Sequence, residues 1–135
     1  MAFRAFPRRC EVTDYKELFG WLCRYRADIL HQKHLSMWKN GMYDPADKEP
    51  PVNEYVISEQ RFSKKAWVVT AVVYRRERTA RRPWSDRIVA SRSKLSLQDA
   101  YKNACRQMIR KWELFGKGST LEEAAFRLSV MFGKD

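Results

Sequence analysis

The sequence predicts an α+β fold in which a three-stranded antiparallel sheet is packed by N- and C-terminal helices. The expected order is α-β-β-β-α, with an extra C-terminal helix. Two observations predict it: helical periodicity at both ends of the chain, and a middle segment rich in β-branched and aromatic residues. The 135 residues, 44% of them hydrophobic, suit a single domain with a buried core. We expect a basic N-terminal arm over 1–12 and one α+β domain over 13–135.

The first helix is predicted to begin after Asp14, because Asp14 with Glu17 three residues later has the form of a reciprocal N-terminal cap. Apolar residues then recur at helical spacing: Tyr15, Leu18, Phe19, Leu22, Ile29 and Leu30. The pattern extends to about Asn40, where Gly41 favours a left-handed stop. Two helices with a break near His31 are the alternative.

Three strands are predicted in the middle of the chain. Residues 41–51 contain three prolines and no periodicity, which indicates a loop. Residues 54–62 and 66–75 have strand composition and are joined by a hairpin-length connection, Ser63-Lys64-Lys65. After an arginine-rich loop, residues 84–91 form a shorter third strand. The three strands should form an antiparallel meander.

Two helices are predicted after the strands. Ser96 and Asp99 form the first cap. The apolar side of that helix carries Leu97, Ala100, Tyr101, Ala104, Met108, Trp112 and Phe115. Gly116 and Gly118 end it, and Thr120 with Glu123 opens a last helix that ends near Gly133.

The charge balance points to a polyanionic partner. Lys and Arg number 27 against 16 Asp and Glu, which gives a formal net charge of +11. A surplus of that size destabilises the compact state by self-repulsion unless a partner neutralises it. A basic surface that serves only solubility is the alternative. The surplus of positive charge is clustered along the sequence, however, and this clustering favours nucleic acid as the partner.

The densest basic cluster is the loop after the second predicted strand. It contains five arginines within eight residues: Arg75, Arg76, Arg78, Arg81 and Arg82. Guanidinium forks grip phosphates, and release of the phosphate counterions supplies affinity. The alternative is a solvated loop that prevents aggregation of the sheet edge.

Two further basic elements complete the predicted nucleic-acid-binding set. Lys64 and Lys65 lie at the opposite end of the same strand, roughly 30 Å from the arginines at about 3.3 Å per residue. Lys102, Arg106 and Arg110 are spaced i, i+4, i+8 on one helical stripe, with Lys94 before them. A solvated helix face is the alternative for this stripe.

Residues 53–115 resemble the double-stranded-RNA-binding domain, a module with the α-β-β-β-α fold. Its last helix normally opens with a Ser-Lys-Lys-x-Ala-Lys-x-x-Ala-Ala-type signature, and residues 96–105 here read SLQDAYKNAC. The matching capping and packing positions are Ser96, Ala100, Ala104 and Cys105. The resemblance covers about half the chain, and it implies that duplex RNA is recognised by shape and backbone.

The lysines of that signature are missing from this chain. Leu97, Gln98 and Tyr101 stand in their places, although Lys94 and Lys102 lie close by. Domains of this fold that lose their lysines often serve in protein–protein docking or dimerisation. A docking module, with Leu97 and Tyr101 as exposed interface residues, is therefore an alternative, and a homodimer or protein partner goes with it.

A second resemblance is to the RNA-silencing suppressors of tombusvirus-type plant viruses. The opening Ser96-Leu97-Gln98 of the long helix is similar to theirs. It implies sequestration of short RNA duplexes on a β-sheet, with Trp21 and Trp38 as candidates for stacking on the terminal base pairs. Simple packing of these tryptophans against the sheet is the alternative.

Aromatic residues on the strands offer another mode of binding, in which unpaired bases stack on the sheet. The candidates are Tyr55, Phe62, Trp67 and Tyr74. Trp67 and Tyr74 are seven positions apart and therefore point to opposite faces. This geometry weakens the stacking interpretation.

No pattern of catalytic residues is present. The five glycines form no phosphate-binding loop, and no Ser/His/Asp or Cys/His signature occurs. Cys23, His31 and His34 fall within twelve residues, but the chain has no tight Cys-x-x-Cys pair of the zinc-binding type. We expect no enzyme activity, no metal and no cofactor.

The cysteines and the hydropathy pattern indicate an intracellular protein. Three irregularly spaced cysteines are too few for a disulfide framework and suit a reducing compartment. No apolar run approaches the roughly 18–20 residues that span a bilayer. Residues 1–10 lack the apolar centre of a secretory signal, although their arginines leave an organelle presequence as an alternative. We therefore predict a non-catalytic RNA-binding protein of the cytoplasm or nucleus, without a membrane association.

Overall fold

The computed structural model describes residues 14–42, 52–64, 66–76, 85–93 and 96–133. The predicted basic arm, residues 1–12, lies outside these ranges. The elements are α1 (Tyr15–Lys39), β1 (Val52–Ser63), β2 (Ala66–Arg76), β3 (Ser85–Ser93), α2 (Leu97–Trp112) and α3 (Leu121–Phe132).

Helix α1 is one continuous helix of 25 residues, so the alternative with a break near His31 is wrong. At about 1.5 Å per residue it is roughly 38 Å long. The side chain of Asp14 accepts hydrogen bonds from the backbone N–H groups of Lys16 at 3.0 Å and Glu17 at 3.1 Å. The helix ends before Gly41, whose φ of 70° is the left-handed stop that the sequence predicts.

The strands form an antiparallel ladder in the order β1-β2-β3. In the first pair, Val52 lies opposite Arg76, and Ser63 lies opposite Ala66 at the turn. In the second pair, Trp67 lies opposite Ser93, and the register shifts between Ala71 and Val72.

Helices cover one face of β1 and β2. Val69, Ala71 and Val73 alternate along β2 and are fully buried, and α1 and α2 both contact this strand. On the other face the alternating side chains are exposed or half-buried. We call this surface the open face; its residues are Glu54, Val56, Ser58, Gln60, Thr70 and Val72. Val68, also on this face, is buried.

The α+β class is confirmed, but the predicted three-stranded sheet packed by N- and C-terminal helices requires correction. Strands β1 and β2, most of whose side chains the structure describes, form a two-stranded antiparallel pair. For β3, the structure describes the backbone and its pairing with β2. Helix α3 contacts α1 and α2 but none of the described strands. Periodicity shows that a helix has an apolar side, but it does not show which element that side packs against.

Helices α1 and α2 lie side by side and run in the same direction. Near their N-termini, the Tyr15 N–H donates to the side-chain oxygen of Gln98 at 3.2 Å. Near the end of α2, the Arg26 guanidinium lies 3.8 Å from the centroid of the Trp112 ring. The two N-terminal ends therefore adjoin one another, close to the β1–β2 turn.

Candidate nucleic-acid interface

The predicted basic residues are distributed over several parts of the fold. Lys65, Arg78, Arg81, Arg82 and Lys94 lie outside the described residues. Lys64 is exposed in the β1–β2 turn. Arg75 and Arg76 are the last two residues of β2, and their backbones pair with Asn53 and Val52.

Strand β2 separates the described basic positions of the sheet. Lys64 precedes the strand, and Arg75 and Arg76 end it. Eleven residues of strand at about 3.3 Å each place the two ends roughly 36 Å apart. The open face lies between these two basic ends.

The stripe on α2 is not brought together with the sheet clusters. Ala104, Cys105 and Met108 are the buried side of the helix. Arg106 and Arg110 are exposed instead, in a cleft between α2 and α3. The two arginines share this cleft with residues of α3, and α3 contacts no described strand. They therefore lie in the helical layer, away from the open face. The sequence predicted a shared sheet-and-helix surface, and the described residues do not form one from these positions.

Lys102 differs from the other two residues of the stripe. It is half-buried, and its Nζ lies 5.6 Å from the centroid of the Tyr15 ring. A cation over an aromatic face is attracted by the electrons of the ring. Lys102 therefore contacts the start of α1.

A polar cluster at the adjoining helix ends connects both helices to β1. The Glu59 carboxylate accepts a hydrogen bond from the Tyr101 hydroxyl and forms a salt bridge with Lys16 at 3.2 Å. The hydrogen bond from Tyr101, and then Lys16, lower the pKa of Glu59 despite some desolvation. Burial and the neighbouring Glu59 raise the pKa of Tyr101.

Arg61 is a cation of this end that the sequence analysis missed. Its Nη2 donates to the Lys64 carbonyl oxygen at 2.7 Å, and its guanidinium lies 5.5 Å from the centroid of the Trp67 ring. The two contacts hold the β1–β2 turn against the sheet. A single arginine inside a predicted strand carries no signal of this role.

The open face has a carboxylate at one end, on Glu54, but its middle is uncharged and able to form hydrogen bonds. Ser58 lies directly opposite Thr70 in the ladder, and Gln60 is two residues further along the same face. Within the part of the chain that the structure describes, the side chains of these three residues have no hydrogen-bond partner. Val56, beside them, is 50% exposed. Short polar residues in a strand give no signal in the sequence, so only the register reveals this surface.

The aromatic candidates lie mainly on the helix side. Trp67 and Trp21 are partly buried and pack against the core. Tyr55 lies opposite the buried Val73, so it is on the helix face as well. The side chains of Phe62 and Tyr74 lie outside the described residues. For Trp21, the contact with the core favours packing over base stacking.

The residues expected for a docking interface are not exposed. Tyr101 is 1% exposed, and Leu97 is partly buried against the core. Leu97 and Tyr101 are therefore packing residues of the described core.

The described thiols are unsuited to nucleophilic chemistry. Cys23 and Cys105 are fully buried. Burial raises the pKa of the Cys23 thiol to about 12 and also raises the pKa of Cys105. Over the described ranges, no three His, Cys, Asp or Glu side chains are grouped so that they can hold a metal ion. None of the described helices combines the length and the apolar character needed to cross a membrane.

No protein-family model matches this chain, and no curated protein or solved structure matches it either.

Proposed function

We propose that the protein is a non-catalytic RNA-binding protein of a reducing intracellular compartment and that its ligand is duplex RNA. The observation that supports this most is the middle of the open face, an uncharged stretch of free hydroxyl and amide groups between two basic strand ends. Cations at the ends contact phosphates, and the polar groups between them contact sugars. The ligand would be recognised by shape and backbone.

The separation of the two basic ends favours a duplex over a flexible strand. A rigid ladder of phosphates bridges roughly 36 Å without the cost of ordering a flexible strand. The 2′-hydroxyl of RNA both donates and accepts, as Ser58, Gln60 and Thr70 do. Single strands are usually bound by stacking on aromatic residues, and the aromatic residues Trp67 and Tyr55 lie on the helix face instead.

A gel-shift series tests this proposal with duplex RNA, duplex DNA and single-stranded RNA of one sequence. We expect duplex RNA to bind tightest. If about four to six phosphates are engaged, the logarithmic salt slope is roughly −4 to −5. Absence of salt-sensitive binding to all three ligands contradicts the proposal, and binding to single strands alone contradicts its duplex form.

A matched pair of valine substitutions tests the open face itself. Val56 on the open face is 50% exposed, and Val130 on α3 is 70% exposed. Val56→Glu places a carboxylate against the phosphates, and we expect at least a tenfold loss of affinity, about 1.4 kcal/mol. Val130→Glu should bind as the parent does. Equal binding by the two variants, at unchanged melting temperatures, means that RNA binds elsewhere.

A further inference from the structure

A cleft lies in the helical layer, away from the open face. It has a volume of about 460 Å³ and is formed by the C-terminal half of α2, the α2–α3 loop and the first turn of α3. Three cations line it: Arg106, Arg110 and Lys117. We propose that this cleft binds a nucleotide-sized phosphomonoester, and the proposal does not depend on RNA binding by the sheet.

The three cations are available to a ligand. Among the described residues, none of them forms a salt bridge or another side-chain interaction, although Glu113 and Glu122 line the same cleft. Arg106 and Arg110 are one helical turn apart, so their guanidinium forks project along one stripe. Such forks bind phosphate oxygens in pairs, and an ammonium group adds a point charge.

The loop that completes the cleft is held in one conformation. Glu113 and Phe115 have positive φ angles of 48° and 62°, which side-chain-bearing residues rarely adopt. The Phe115 ring stacks on Tyr25 at a centroid distance of 4.6 Å, and its carbonyl oxygen accepts from the Ser119 hydroxyl at 2.8 Å. These contacts fix the path of the chain on both sides of Lys117. The backbone that carries Lys117 is therefore supported by contacts within the protein.

The other lining residues indicate the class of ligand. A volume of about 460 Å³ is much larger than a phosphate ion and falls in the range of small-molecule sites, about 300–1,000 Å³. Ile109 and Leu121 form the apolar floor of the cleft, where their exposed edges can contact one side of a ring. Glu113 and Glu122 accept hydrogen bonds from hydroxyl or amino groups and repel a second phosphate. A ligand with one phosphate and several neutral donors, such as a nucleoside monophosphate, meets these conditions.

A titration followed by backbone amide NMR tests the cleft in the full chain. We expect AMP to shift the amides of Lys117, Gly118 and Ser119 saturably, and adenosine to leave them unchanged. Lys117→Gln should weaken AMP binding by about tenfold, whereas Lys33→Gln, at an exposed lysine of α1, should not. Equal shifts by AMP and adenosine, or equal weakening by the two variants, overturn the proposal.

An RNA strand with and without a 5′-phosphate distinguishes the sources of the phosphomonoester. Shifts of the same amides by the phosphorylated strand alone support a strand end as the natural ligand. Shifts by AMP alone support a free nucleotide. No shift by either overturns the proposal. The Val56→Glu variant should retain the AMP response, so the failure of the sheet interface and the failure of the cleft are separable.

Discussion

Glu59 and Tyr101 form a side-chain hydrogen bond that joins β1 to α2. They are 42 positions apart in the chain. The helical pattern predicts Tyr101 as an apolar residue and assigns no role to its hydroxyl. The hydrogen bond depends on the register of β1 and the position of α2, and a helical pattern contains neither. At this scale the sequence predicts burial better than it predicts partners.

Tyr101→Phe should lower the free energy of unfolding by about 1 kcal/mol at neutral pH, because the variant lacks the hydroxyl that donates to the Glu59 carboxylate. The pKa of Glu59 is lower in the folded than in the unfolded protein, so ionised Glu59 stabilises the folded state. This contribution is fully present above the unfolded-state pKa and is lost as the pH falls through the folded-state pKa. The difference between the variant and the parent should therefore shrink in acid.

Urea denaturation at neutral pH and well below pH about 4 measures this difference. Tyr25→Phe is the control, because the structure describes a ring contact but no hydrogen bond for Tyr25. A difference that is constant with pH means that the loss is one of packing.

The buried thiols should resist modification in the folded protein. Because burial raises the pKa of Cys23 and Cys105, both stay protonated at mildly alkaline pH. In a Cys10→Ser background, we expect a thiol-reactive disulfide to label neither residue until denaturant is added. Fast labelling of the folded variant contradicts the buried placement.

Among the elements, helix starts are the best-predicted features. The end of α2 was predicted at Gly116, but the helix ends at Trp112, because Glu113 already adopts a left-handed conformation. The side chains of Asp14, Ser96 and Thr120 all accept hydrogen bonds from backbone N–H groups of the first turn, which is one half of the predicted reciprocal cap. A cap is a local interaction within four residues, so the sequence contains all of it. The packing of α3 on α1 and α2 depends on the whole fold, and the pattern of one helix does not specify it.

Gly20 offers a test of helix α1. It lies inside the helix, and a Cβ added there meets no atom within 4 Å. Gly20→Ala should therefore stabilise the protein by about 0.5–1 kcal/mol. Gly118→Ala is the matched control, since its φ of 81° favours glycine and the change should destabilise. Thermal denaturation of both variants checks this, and a loss of stability at Gly20 means that α1 is not packed as described.

At the scale of the molecule, the sequence located the charge but not its arrangement. The clusters at Lys64 and at Arg75–Arg76 lie at the two ends of β2 because a strand is a straight spacer. The stripe on α2 was expected to join them, but Arg106 and Arg110 line a cleft in the helical layer. The side of α2 that faces the sheet is set by packing, and charge spacing along a helix does not report it.

Two sets of alanine substitutions test this division. Replacing Arg75, Arg76, Arg78, Arg81 and Arg82 should weaken RNA binding and reduce the salt slope by about 0.9 for each phosphate that the variant no longer neutralises. The melting temperature should stay nearly unchanged, and unfolding means that the loop is structural. Replacing Arg106 and Arg110 should leave the slope as it is. Gel shifts over a salt series measure both, and equal effects contradict two separate basic surfaces.

Helices on one side of β1 and β2 also make this fold suitable for protein engineering. The buried residues Val69, Ala71 and Val73 maintain the core from one face, and the side chains at 56, 58, 60, 70 and 72 are exposed or half-buried on the other. Exposed positions away from the core tolerate substitution within about 0.5 kcal/mol. A library that randomises the three exposed positions 56, 58 and 60 should yield folded variants with new ligand preferences. Selection then acts on recognition, because few variants are lost to misfolding.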